Sequence, residues 1–247
     1  MMLLHLPVGR KYDQRMPNVT VRVIVPALVG LAMQPAQQRV SLDQLCVTNG
    51  EITTTPSGRL AINTASSRAV VRIPTAPGIA EVRFTYLGPS QESKPLASGE
   101  MRRQIGLKLR AQDQCNLLYV MWHIEPDAKF GVSIKRNPGQ YTHEQCDARG
   151  YVTIRPRVST TLPRVLPGES HTLRAVLTGV DLTVTADGRV VWEGAIGNGI
   201  SGLDGPVGLR TDNARFEFDY DVTPPAPGAR SQSVNESTNR CEKSAGD

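Results

Sequence analysis

An all-β, single-domain antiparallel sandwich of jelly-roll kind is the fold this sequence predicts, on three observations. Strand-length segments that alternate or run apolar follow one another from Leu45 to Val222, Gly, Pro, Asn and Asp break them at short intervals, and helix signals are almost absent. "GRLAINT", "RAVVRI", "AEVRFTYLG" and "RQIGLKLRAQ" come first, then "NLLYVMWHIE", "GVSIKRN" and "GYVTIRP". "HTLRAVLTG" precedes "DLTVTADGRVVWEG", where Asp187-Gly188 is a strong hairpin signal because both central residues of a type I′ turn need positive φ. "GPVGLRT" and "ARFEFDYDV" close the series, and nothing in the middle marks a boundary between domains. Residues 223–247, rich in Pro, Ser and Asn, read as a tail.

Hydrophobic residues at 39% and charged residues at 21% are those of an ordinary soluble chain and exclude a disordered or membrane-embedded one. A net charge of +5 and a pI near 9.2 suit acidic partners such as polyuronates or other cell-surface polymers. No dense Lys/Arg block is present, so nucleic acid is not expected as a partner. In residues 1–36, Arg10, Lys11, Arg15 and Arg22 precede the apolar run "VIVPALVGLAM" and the polar "QPAQQR", the layout of a secretory signal. The run is too short to span a bilayer stably, and cleavage after Ala32 would follow the small pair Gly30 and Ala32. The expected location is therefore extracellular or periplasmic, where four cysteines form two disulfides. Cys115 and Cys146 bracket one strand and its loop and are expected to pair, leaving Cys46 for Cys241. A metal site built on Cys115, Cys146, His123 and His143 lacks the C-x-x-C or H-x-x-x-H spacing it would need.

The segment "NLLYVMWHIEPDAKFGVSIKRN" departs from simple alternation. Leu118, Val120, Trp122 and Ile124 form a core row, but the opposite row, Tyr119, Met121, His123 and Glu125, is amphipathic rather than plainly solvated. If Ile105, Leu107 and Leu109 face the core, Gln104 and Lys108 face outward, and Ser133 and Lys135 do so on the next strand. Gln104, Lys108, Tyr119, His123, Glu125, Ser133 and Lys135 then make one face of donors, acceptors and a flat ring, suited to sugar hydroxyls and ring faces. Tyr141, in the loop leading to Cys146, is expected at its rim. His123 and Tyr119 are expected to be exposed there.

"HTLRAVLTGVDLTVTADGRVVWEGAIG", followed by "GPVGLRTDNARFEFDYDV" with Gly208, Asn213 and Phe216 in a G-x-x-x-x-x-N-x-x-F pattern, resembles the closing half of concanavalin A-like lectin/glucanase sandwiches. The likeness is strongest to the laminin G-like and 3-keto-disaccharide-hydrolase-like families. The opening "VTNGEITTTPSGRLAINT" is similar to their first hairpin, so the resemblance spans Leu45 to Val222. It implies a concave sheet groove that binds carbohydrate or another cell-surface ligand. It also implies, as the one cofactor to consider, a calcium ion between Glu51 and Asp219, although two carboxylates fall short of the shell of about six to eight oxygens that calcium takes. The runner-up is a polysaccharide-degrading enzyme. A glycoside hydrolase is disfavoured because the E-x-D-x-E signature is absent and Pro126 separates Glu125 from Asp127. A polyuronate lyase would use His123 and Tyr119 as base and acid, with Gln104 and nearby cations stabilising the enolate. A third class is an adhesion or structural protein that uses the sandwich only as a scaffold.

Overall fold

The computed structural model describes residues 36–162 and 164–226. The expected signal, most of the tail, and Cys241 with its pairing to Cys46 lie outside the described residues. The strands in chain order are β1 (Gln38–Arg39), β2 (Leu45–Asn49), β3 (Thr53–Thr54), β4 (Leu60–Ile62), β5 (Ser66–Val71), β6 (Ile79–Pro89), β7 (Arg103–Leu109) and β8 (Leu117–Glu125). After them come β9 (Lys129–Lys135), β10 (Tyr151–Thr153), β11 (Val158–Ser159), β12 (Ser170–Thr178), β13 (Asp181–Ala186), β14 (Arg189–Ala195), β15 (Gly208–Asp212) and β16 (Ala214–Val222). Among the described residues one short α-helix, α1 (His143–Cys146), and two single 3₁₀ turns, Leu42–Gln44 and Gly197–Ile200, interrupt the series. The nine-stranded sheet has the order β11-β14-β13-β12-β6-β16-β4-β3 with β1 added beside β16, and the seven-stranded sheet runs β10-β9-β8-β7-β15-β5-β2.

The period of two in the sequence places one row of each strand between the sheets. Phe84 and Phe216 from the nine-stranded sheet meet Trp122 from the seven-stranded one, with ring centroids 5.5 Å (Phe84–Trp122) and 5.6 Å (Phe84–Phe216) apart in edge-to-face geometry. Such pairs add about 0.5–1.5 kcal/mol each beyond their area burial. Around them Val82, Ile105, Leu107, Val120, Leu173, Val184 and Phe218 are fully buried. The β13–β14 hairpin turns through Asp187 and Gly188 with φ of 49° and 76°, as its sequence predicts.

Cys115 and Cys146 form the expected disulfide, with Cα atoms 5.9 Å apart across 31 residues of sequence. By the chain-entropy argument a loop of that length contributes about 3–4 kcal/mol. The bridge ties α1 to the start of β8. Strand β8 is buried along both faces up to Ile124, which accounts for its amphipathic second row. Tyr119 and Met121 join Cys46, Val70, Ala111 and Leu117 in a small second apolar cluster on the outer side of the seven-stranded sheet.

Candidate functional site

The register of the seven-stranded sheet decides which outward side chains meet. Ser66, Asp212, Gln104, His123 and Lys129 form one row across β5, β15, β7, β8 and β9. The next row is Arg68, Arg210, Gly106, Met121 and Gly131; the third is Val70, Gly208, Lys108, Tyr119 and Ser133, extended by Thr153 of β10. Beyond it Leu117, Lys135 and Tyr151 lie side by side. Polar side chains of these rows line a cavity of about 900 Å³, walled by the loop carrying Lys94 to Arg102 and by His143, Asp147 and Ala148 beside the disulfide.

Asn213 holds the first wall. It sits in the left-handed region at φ 53°, and its side chain accepts from the Lys94 amide at 2.8 Å. It also donates to the carbonyls of Lys94 and Arg102 at 2.8 and 3.1 Å, so one buried amide clamps both ends of the loop. At the floor, Asp212 is 1% exposed and accepts from Arg68 at 2.7 Å, Arg210 at 2.9 Å and Gln104 at 2.5 Å. Burial would raise this carboxyl, but Arg210 and Arg68, with bonds from Arg210 and Gln104, hold it below the usual carboxylate range. The Arg210 guanidinium then covers one face of Tyr119 at 5.1 Å, while Tyr151 stacks on the ring at a centroid distance of 6.0 Å. Lys135 lies over Tyr151 at 5.2 Å. Cation–π contacts of this kind contribute about 0.5–2 kcal/mol.

At the other end of the first row, Arg102 Nη1 donates to His123 Nε2 at 3.4 Å, which places the ring proton on Nδ1. His123 Nδ1 and Gln104 Oε1 are buried without a hydrogen-bond partner in the protein. Burial first, then the positive charges of Arg102, Lys129 and Arg210, push the His123 pKa down to about 3, so the ring is neutral across the physiological range.

Of the eight residues expected to form the face, Gln104, Lys108, Tyr119, His123, Ser133 and Lys135 line the cavity. Glu125 does not. Arg103 pairs with Glu125 and Gln104 with His123, so Ile124 is an extra residue, a β-bulge, and Glu125 turns away from the row of His123. Its carboxylate accepts from Tyr86 Oη at 3.1 Å and pairs with Arg103. Tyr141 is 57% exposed and stands outside the cavity lining, whereas its neighbour His143 lies within it. The expected exposure of His123 and Tyr119 is also corrected: they are 7% and 5% exposed, because side chains of adjoining rows and the loop walls cover them. Asp219 is ion-paired with Arg39 and Arg59, on the sheet opposite to the strand that leads into Glu51. No group of three or more metal-ligating side chains occurs among the described residues. Sequence reasoning passed over Arg68, Arg210, Asp212 and Tyr151. The alternation of "GLRTD", with Leu209 and Thr211 inward, already put Arg210 and Asp212 on the outer row.

No family model and no curated protein matches the sequence. Among solved structures, the carbohydrate binding module CBM66 from Bacillus subtilis is similar over 71% of this chain and 91% of its own, with a TM-score of 0.50 and 14% identity. A Crh5 transglycosylase in complex with NAG is similar over 77% and 85% (TM-score 0.46, 15% identity), and a putative glycosyl hydrolase from Parabacteroides distasonis over 77% and 100% (TM-score 0.47, 11% identity). At these identities the likeness concerns architecture alone, since one sandwich serves many functions. Two antiparallel sheets, their strand order and the likeness to the carbohydrate binding module CBM66 together make the fold a concanavalin A-like jelly-roll sandwich.

Proposed function

We propose that this protein is an exported carbohydrate-binding module whose cavity on the outer face of the seven-stranded sheet receives the sugar. The observation that carries the reading is the lining itself. An apolar patch and the ring of Tyr151, 40% exposed, adjoin amide, hydroxyl and cationic groups in a cavity of about 900 Å³, within the usual size range of ligand pockets. Tyr151 offers a face for a sugar ring, and the half-buried Ser133 on the cavity lining offers a hydroxyl partner. The similar fold of a carbohydrate-binding module agrees with this reading. Export is supported by the Cys115–Cys146 disulfide and by the basic leader with its apolar run.

A lyase is the weaker reading. A general base works best with a pKa near the operating pH, and His123 is held far below it. The test is a glycan array followed by calorimetry on the best ligand. Tyr151→Ala should weaken binding by about 1–3 kcal/mol. Absence of binding across the array would overturn the proposal, and ultraviolet-absorbing unsaturated sugar ends would replace it with elimination chemistry.

A further inference from the structure

Resting on the carbohydrate-binding reading, we infer that Arg210, held by Asp212, is the positioning residue of the site: it fixes the Tyr151 ring as a platform for sugar without itself meeting the sugar. The first observation is reach. Arg210 belongs to β15 and Tyr151 to β10, four places apart in the sheet and about 19 Å at the usual spacing of neighbouring strands. Their side chains nevertheless meet, and Arg210 Nη1 donates to Tyr151 Oη at 3.3 Å. Both close on Tyr119 of β8, whose ring has the guanidinium at 5.1 Å and the Tyr151 ring at 6.0 Å. Gly106, the register partner of Arg210 on β7, puts no side chain between β15 and β8.

The second observation is anchorage. Arg210 Nε donates to Asp212 at 2.9 Å, and Asp212 accepts in turn from Arg68 at 2.7 Å and from Gln104 at 2.5 Å. A guanidinium whose Nε is taken by a carboxylate presents its Nη groups in a fixed plane, because the fork is rigid. The third is exposure. The side chains of Asp212 and Arg210 are 1% and 14% exposed, whereas Tyr151 is 40% exposed. The surface that a sugar ring can touch therefore belongs to Tyr151, and the groups that hold its ring are largely hidden. Tyr151 stands on an edge strand that pairs with β9 alone, so the bond at its Oη and the stack on Tyr119 are what limit its rotamers. A ring ordered before the ligand arrives binds without the cost of ordering it then.

The test is a double-mutant cycle on binding. The probes are dextran, laminarin, xylan and polygalacturonate in affinity electrophoresis, with calorimetry on any arrayed glycan that binds. Tyr151→Ala removes the platform, and Arg210→Lys keeps the charge beside Asp212 but loses the fork that reaches Tyr151. In the native background Arg210→Lys should weaken binding about fivefold, the worth of one hydrogen bond. In the Tyr151→Ala background it should weaken binding by less than about twofold, since nothing is left to position. Arg83→Lys, which loosens an ion pair with Asp221 on the opposite sheet, should leave binding unchanged. A loss that persists after Tyr151→Ala shows Arg210 touching the sugar itself and overturns the inference, as does an Arg210→Lys protein that binds like the native chain. An equal loss in Arg83→Lys marks general loosening of the fold and also overturns it. Because Arg210→Lys can distort the floor, Tyr151→Phe reads the same bond from the exposed side: it keeps the ring and its stack on Tyr119, removes the acceptor, and should also bind about fivefold more weakly. Undiminished binding in Tyr151→Phe overturns the inference. Each of these outcomes leaves the carbohydrate reading standing, whereas binding to none of the four polymers and to no arrayed glycan overturns both.

Discussion

The outer faces of the two sheets handle charge in opposite ways. On the nine-stranded sheet Asp221 accepts from Arg39 at 2.9 Å and from Arg83 at 2.6 Å, Glu81 is shared by Arg83 and Arg174, and Asp219 lies between Arg39 and Arg59. Across β1, β16, β6 and β12 the row runs Arg39, Asp221, Glu81 and Arg174, and Arg83 from the adjoining row bridges the two neighbouring acids. On the seven-stranded sheet one carboxylate, Asp212, is shared by two nearly buried arginines, Arg102 and Lys129 pair with the exposed Glu100 and Asp127, and these groups stand around a cavity. A face whose groups satisfy one another asks nothing of a ligand. One that folds polar, cationic and aromatic groups around a cavity leaves room for a ligand.

The sharpest way to break this contrast is to remove one carboxylate from each face. Asp212→Ala leaves Arg68 and Arg210 nearly buried and without their partner, and should cost about 3–5 kcal/mol in denaturant unfolding. Asp219→Ala, on an accessible ladder, should cost about 1 kcal/mol or less. Equal losses would erase the distinction.

Next in size is Asn213→Ala, which removes three hydrogen bonds and puts alanine at a left-handed φ of 53°. The expected loss is about 2–4 kcal/mol, and limited proteolysis should then cut within residues 94–102. A loop that stays resistant would show that the wall stands without its clamp.

His123 sharpens the comparison through pH. Its folded pKa of about 3 lies below the ordinary 6.5, so as pH falls below 6.5 the unfolded chain takes up a proton that the folded chain refuses, and stability is lost. Well above pH 6.5 this residue adds no slope. Between about pH 7 and 5 the loss from His123 alone should be about 2 kcal/mol, and His123→Asn should lose correspondingly less over the same interval. Parallel stability curves for the two proteins would argue that the ring is not held neutral by the fold.

The smallest expected effect on stability is that of Tyr151→Ala. The residue is 40% exposed on an edge strand, so unfolding should shift by about 1 kcal/mol or less while glycan binding falls. A large destabilisation with binding retained would make the Tyr119–Tyr151 stack a structural feature.

What the sequence by itself determined was everything governed by local rules. Period-two alternation set the strands and the inward row of Leu118, Val120 and Trp122, the Asp187-Gly188 pair set its hairpin, and the flanking positions of Cys115 and Cys146 announced their bridge. The same alternation carried Gln104, Lys108, Tyr119, His123, Ser133 and Lys135 to one face. Only the tertiary structure decided who stands beside them. Register between strands distant in the chain set Asp212 next to Gln104, a one-residue bulge at Ile124 withdrew Glu125, and β10 laid Tyr151 on Tyr119. Burial, and with it the neutral state of His123, came from loops whose path no periodicity records. The physical reason is that side-chain direction is a property of a strand, whereas neighbourhood and local field are properties of pairings between strands.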